Sequence, residues 1–87
     1  MSQMVRVVKV CPYADYAVVE WVGKKYEPWV ACWAPRKCTS AGTRNLEFND
    51  IGKEVTCYWS QGHYFKNFED ALEYALDRET EAFGKAR

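Results

Sequence analysis

The sequence lacks the features that mark membrane, secreted and disordered proteins. No apolar run approaches the roughly 18 residues that a membrane span needs. Arg6 and Lys9 interrupt the N-terminal stretch that would otherwise form a secretory signal. There is no low-complexity tract, and aromatic and β-branched residues are plentiful, which argues against intrinsic disorder. We therefore expect a soluble protein that stays in the cytoplasm.

Signatures of catalysis are also missing. The chain has one histidine, His63, and no local motif marks a nucleophile that it would activate. Its five glycines stand singly, so there is no glycine-rich phosphate loop. Lys and Arg equal Asp and Glu in number, whereas proteins that mainly grip phosphate backbones are usually basic. We predict a protein that is not an enzyme and carries no cofactor.

The four cysteines do not form the tight pairs that are typical of zinc sites. They are Cys11, Cys32, Cys38 and Cys57. Zinc ligands usually come with two to four residues between them, whereas five separate Cys32 from Cys38. In a reducing cytoplasm, unpaired thiols are favoured over disulfides. We therefore predict structural thiols and no metal; a zinc site that includes His63, or disulfides, are the alternatives.

Aromatic residues are what the chain has in abundance, at 16% of 87 residues. Most are Trp or Tyr, whose polar group tolerates a half-exposed position. This explains how 48% hydrophobic residues coexist with a mean hydropathy of -0.47. A chain of this length supports one hydrophobic core, so residues 1–87 are predicted to form a single domain.

Strand patterns precede one helical pattern along the chain. Strands are predicted over 5–10, 16–22, 26–33 and 54–59, with a short fifth strand at 46–48, and Pro28 is expected to delay the third. Residues 34–45 contain no acid and little to bury, which indicates a mobile loop. Asn67 is a good N-cap for a helix that Gly84 would end. These patterns predict an α+β fold: an antiparallel sheet of four or five strands with one C-terminal helix packed on one face.

The predicted helix is amphipathic. Its apolar stripe packs on the sheet, and we expect Phe65, Phe68 and Phe83 in the core between them. Glu79 projects from that stripe and is expected to reach water beyond the end of the sheet. The opposite side of the helix carries the acids Asp70, Glu73, Asp77 and Glu81.

A single helix covers only one face of such a sheet. Strand alternation separates Trp29, Trp33 and Tyr58 from a smaller set, Val30, Cys32, Val55 and Cys57. The smaller set suits an alanine-rich helix, which would leave the aromatic set open. Alternatively, the sheet curls over its own hydrophobic face and buries the tryptophans.

Three groups of residues are candidates for binding a partner. They are the aromatic face (Trp29, Trp33, Tyr58), the basic loop (Arg36, Lys37, Arg44) and the acidic helix face (Asp70, Glu73, Asp77, Glu81). Because Trp, Tyr and Arg anchor protein interfaces, we predict a protein partner, with a homodimer through the open sheet face as one form. Basic loops beside aromatic rings also hold single-stranded nucleic acid, which is the alternative partner.

Two resemblances extend these predictions. The segment from Tyr64 to Ala71, YFKNFEDA, resembles the strand-to-helix junction in the arm-binding domains of phage integrases, which implies a small sheet that enters DNA. In size, composition and sheet-then-helix order, with its Phe65-x-x-Phe68 junction, the chain also resembles small phage and mobile-element inhibitors of the anti-CRISPR type. This second resemblance implies a steric block of a host nucleoprotein complex, either by an acidic helix that mimics phosphate or by a docked aromatic face.

Overall fold

The computed structural model describes residues 3–85, and the side chains of residues 3–82. Within them the chain forms an α+β fold with an antiparallel sheet and a C-terminal helix. The strands are β1 (Gln3–Cys11), β2 (Tyr16–Trp21), β3 (Trp29–Trp33), β4 (Arg36–Thr39), β5 (Gly42–Asn45), β6 (Glu54–Tyr58) and β7 (Gln61–Phe65), and the helix is α1 (Phe68–Lys85). The α+β prediction is confirmed, with seven strands in place of four or five.

The connection between β6 and β7 shows that the sheet curls. The strand order is β5-β4-β6-β1-β2-β3-β7, so three strands separate β6 from β7. Only Trp59 and Ser60 join them. Three peptide steps span at most about 11 Å, whereas a flat sheet would place these strands about 19 Å apart. The sheet therefore bends around a concave face, with the ends of β6 and β7 brought together.

A β-bulge keeps β1 in phase with the concave core. Val7 pairs with Val19 and Val10 pairs with Ala17, so a step of three positions along β1 matches a step of only two along β2. An extra residue in the ladder shifts the alternation by one, so both valines point inward. The fully or almost fully buried residues of this core are Val5, Val7, Val10, Ala17, Val19, Val30, Cys32, Leu46 and Cys57.

Helix α1 packs on the convex face of the same sheet. Ala71 and Ala75 are fully buried there against Val18 and Cys11, with Trp29 and Phe68 at one end. The predicted assignment of faces is therefore wrong. Trp29 lies under the helix, whereas the set with Val30, Cys32, Val55 and Cys57 fills the concave core. The alternative, a sheet that curls over its own apolar face, is right about the curl but wrong about the tryptophans, because Trp29 lies under the helix and Trp33 is 43% exposed.

The predicted loop over 34–45 is wrong, because it forms the β4–β5 hairpin. Arg36 and Lys37 pair with Tyr58 and Cys57 of β6, and the rest of the hairpin extends past this pairing with β6. Its turn is closed by the Thr39 hydroxyl, which donates to the Gly42 carbonyl at 2.7 Å. Every residue of β5 is exposed. The hairpin is thus held by its ladder and its turn and buries almost nothing at its tip.

The C-terminal part of α1 differs from its prediction in two respects. The helix continues to Lys85, past the expected cap at Gly84. Glu79 was predicted to reach water beyond the end of the sheet, but it is half-buried beside Cys11. The predicted core position of Phe83 lies outside the described side chains. Phe65 and Phe68 pack against the helix-to-sheet core, as predicted. Phe68 lies against Trp29, with ring centroids 5.2 Å apart.

Candidate functional site

A hollow that combines carboxylates with aromatic rings lies between α1 and β7. It has a volume of about 270 Å³ and is lined by Phe65, Asp70, Glu73, Tyr74 and Asp77. Helical spacing places the three acids and Tyr74 on one side of α1, while Phe65 points to the convex face of β7. Asp70, Glu73 and Asp77 are all exposed. None of the described residues that line the hollow is basic, and three of them are carboxylates, so the lining is negatively charged.

Tyr74 forms the wall of this hollow and is held from several sides. Its hydroxyl and His63 Nε2 are joined by a hydrogen bond of 2.9 Å, and the two rings lie 4.4 Å apart between centroids. The Phe65 ring lies 5.8 Å away and the Tyr16 ring 6.0 Å away. Burial, and after it the contact with Tyr74, raises the pKa of the Tyr16 hydroxyl. This packing presents Tyr74 to the hollow in one orientation.

Of the four predicted acids, Glu81 stands apart. Its carboxylate pairs with Arg78 at 3.2 Å, and the Arg78 guanidinium also lies 5.3 Å from the centre of the Tyr74 ring. The other three acids line the hollow, whereas Glu81 lies with Arg78 in a separate shallow depression. The acidic helix face is therefore a site of three carboxylates with an ion pair at its end.

The predicted aromatic face is divided between two places. Trp29 is covered by Phe68, while Trp33 and Tyr58 remain 43% and 38% exposed near the junction of β6 and β7. Arg36 lies directly across the ladder from Tyr58. Because α1 covers the sheet at Trp29, the three predicted aromatic residues do not form one continuous open face.

The three predicted basic residues also separate. Arg36 donates to both carboxylate oxygens of Asp15, at 3.2 and 3.1 Å. Lys37 points to the concave side and pairs with Asp50 at 2.9 Å. Arg44 lies across from Lys37 on the exposed strand β5. Two of the three charges are thus committed to internal ion pairs, and the structure does not assemble them into one basic patch.

A larger, mainly apolar groove was not predicted from the sequence. Its volume is about 360 Å³, and it lies between the β1 bulge, the turn at Ile51–Gly52 and the start of α1. Val8, Trp29 and Phe68 are among its lining residues, and Ile51 is 42% exposed. The groove exists because one helix leaves part of the convex face uncovered.

The cysteines are placed for packing. Cys11, Cys32 and Cys57 are buried, and burial raises the pKa of Cys57 to about 11. Burial, followed by the neighbouring Glu79 carboxylate, raises the pKa of Cys11 to about 11. Among the described residues, no three His, Cys, Asp or Glu side chains come close enough together to hold a metal ion.

Cys38 is expected to react with a thiol reagent much faster than the other three cysteines, because it alone is exposed. Because their pKa is raised from 9.0 to about 11, Cys11 and Cys57 have roughly 100-fold less thiolate near neutral pH than a thiol whose pKa is 9.0. Peptide mapping after brief iodoacetamide treatment measures this order. A urea-unfolded sample, in which all four thiols are accessible, is the control. Labelling of all four cysteines at the same rate in the folded protein would contradict the predicted order.

The fold and site define a small α+β domain whose most distinctive surface is an acidic and aromatic hollow. No helix in the described part of the chain is both long and apolar enough to cross a membrane. No protein-family model, curated protein or solved structure matches the chain.

Proposed function

We propose that this chain is a non-catalytic binding domain that recognises a basic segment of a protein partner through the hollow between α1 and β7. The observation that supports this function is the joint lining of one hollow by the rings of Phe65 and Tyr74 and the carboxylates of Asp70, Glu73 and Asp77. Both kinds of lining residue stabilise a bound guanidinium or ammonium group, because the cation pairs with carboxylates and lies favourably over aromatic faces.

The charge of the hollow favours a protein over a nucleic acid. Three exposed carboxylates repel phosphates, and the basic residues that would bind a phosphate backbone lie elsewhere and are partly neutralised by Asp15 and Asp50. A partner whose basic surface normally holds nucleic acid would be blocked when this hollow covers that surface. A host nucleoprotein complex, the partner implied by the resemblance to anti-CRISPR proteins, has the required chemistry.

Removing two carboxylates from the hollow is expected to weaken the binding of a fluorescent nona-arginine peptide about tenfold. The variant is Glu73→Gln/Asp77→Asn, which leaves Asp70 to support the first turn of the helix. Exposed ion pairs contribute about 0.2–1 kcal/mol each, and a factor of ten corresponds to about 1.4 kcal/mol. Fluorescence anisotropy at physiological salt measures the affinity.

The matched control is Glu27→Gln/Glu54→Gln, which changes the net charge equally at two exposed acids away from the hollow. If both double variants lose the same affinity, the peptide senses only overall charge and the proposed site is wrong. A single-stranded oligonucleotide provides the second arm. Oligonucleotide binding at physiological salt that falls steeply with added salt would favour the nucleic-acid alternative instead.

A further inference from the structure

Three aromatic rings converge on the concave side of the sheet, away from the acidic hollow. Trp21 meets Trp59 edge-on, with centroids 5.9 Å apart and an interplanar angle of 83°. The Tyr64 ring also packs near Trp21, with the two ring centroids 6.2 Å apart. Tyr64 is 38% exposed, and both tryptophans are half-buried. This aromatic corner is thus accessible at the surface while its rings are anchored in the core.

The absence of a side chain at Gly62 makes room for the corner. A Cβ atom there would lie 2.6 Å from Trp59 Nε1 and 3.0 Å from the Tyr64 hydroxyl oxygen. Gly62 faces the same concave side as Tyr64, two residues along β7. The rings of Trp59 and Tyr64 therefore occupy space that any other residue at position 62 would fill.

The protein places its own cation in this corner. Lys24 Nζ lies 4.1 Å from the centre of the Tyr64 ring and 4.7 Å from that of Trp21. A tight turn after β2 reverses the chain and places the lysine side chain over the rings. The turn is closed by the Lys24 amide, which donates to the Trp21 carbonyl at 3.2 Å. Gly23 occupies the left-handed position of that turn, with φ of 87°.

We propose that the aromatic corner of Trp21, Trp59 and Tyr64 is a binding site for an organic ammonium group, and that Lys24 fills it in the unliganded protein. A methylated ammonium suits aromatic walls better than a primary one, because it is less strongly hydrated and presents more apolar surface. The ligand must displace Lys24. Its apparent affinity is therefore lower when the lysine occupies the corner in a larger fraction of the molecules. This site is independent of the acidic hollow, since Tyr64 and Phe65 point to opposite faces of β7.

Replacing Lys24 by glutamine is expected to tighten choline binding at least about fivefold, because a cation that contacts two rings no longer competes. NMR titration of the intact protein measures the affinity, and the Trp21 and Trp59 indole signals should shift. Lys25→Gln, at the adjacent exposed lysine, is the matched control and should bind choline like the wild type. Equal affinities of the Lys24→Gln and Lys25→Gln variants would overturn the proposal.

Two further arms test the chemistry. The neutral isostere 3,3-dimethyl-1-butanol should bind the Lys24→Gln variant much more weakly than choline, and equal binding would show a merely apolar site. Tyr64→Phe keeps the ring and should retain choline binding, whereas Tyr64→Leu in the same background should lose it with the fold intact by circular dichroism.

A peptide with trimethyllysine, compared with its unmodified form, distinguishes a modified protein from a free small ammonium as the source of the ligand. Preference for the modified peptide over choline identifies the protein source, and the reverse preference identifies the small molecule.

Discussion

Replacing Asp50 by asparagine is expected to lower the free energy of unfolding by about 3 kcal/mol at neutral pH, because it leaves the Lys37 ammonium, whose side chain is only 18% exposed, without its counter-ion. Asp50 is only 5% exposed. Both of its carboxylate oxygens lie 2.9 Å from Lys37 Nζ, and one also accepts the Glu47 backbone amide at 2.9 Å. The pair fastens the chain between β5 and β6 to the β4–β5 hairpin, which has little other burial to hold it.

Urea denaturation of the single variant measures this effect. Glu54→Gln changes an exposed acid and serves as the control, with an expected change within about 0.5 kcal/mol. The double variant Lys37→Met/Asp50→Asn removes both charges and keeps a side-chain oxygen for the Glu47 amide. It should recover much of the loss, because no ammonium is left without a counter-ion. An Asp50→Asn cost no larger than that of Glu54→Gln would contradict a structural role for the pair.

The same ion pair makes stability depend on pH in a defined direction. Burial by itself would raise the pKa of Asp50, but the Lys37 ammonium and the Glu47 amide outweigh it, and the pKa is lowered. A carboxyl whose pKa is lower in the folded state contributes its full stability above the unfolded pKa of about 3.9 and loses it as the pH falls through the folded value. The stability difference between wild type and Asp50→Asn should therefore shrink below about pH 4.

Replacing Gly62 by alanine is expected to destabilise the fold by about 1–3 kcal/mol, and replacing it by valine by more. Alanine is ordinarily the better residue in a strand, so a loss would identify the clash as its cause. The clash is with Trp59 Nε1, 2.6 Å from the Cβ position, on a half-buried ring that packs against Trp21. That ring cannot swing away without disturbing the concave core.

Chemical denaturation and near-ultraviolet circular dichroism, which reports the packing of the tryptophans, measure the Gly62 effect. Gln61→Ala, at the adjacent exposed residue, is the control. If Gly62→Val unfolds at the same denaturant concentration as Gln61→Ala, Trp59 has room to move and the close packing described here is wrong.

The sequence predicted the elements with strong local signals. The strands around Val7, Val19 and Val30 and the helix after Asn67 follow from β-branched alternation and from a 3.6-residue apolar period, both of which arise within a few neighbouring residues. The β4–β5 hairpin was missed because it buries almost nothing, so it has no apolar alternation to detect. Its Thr39 and Gly42 were the available signals of a turn.

The candidate site was predicted in part. Asp70, Glu73 and Asp77 were identified because helical spacing alone places them on one face. Phe65 packs against the helix-to-sheet core as predicted, but its second role in lining the hollow was not predicted. Tyr74 was not singled out, although its contact with His63 holds the wall of the hollow. That contact joins residues 11 positions apart on different elements, and no local pattern encodes it.

By itself, the sequence determined that this chain has an α+β fold with an acidic C-terminal helix, because composition and periodicity are local properties. Only the tertiary structure decided which sheet face the helix covers, because a period of two defines two faces without ranking them. It also decided that the sheet curls. The strand order places three strands between β6 and β7, and the short link from Tyr58 to Gln61 can join them only if the sheet bends. The abundant aromatics are consequently divided among the concave core, the underside of the helix and two surface sites.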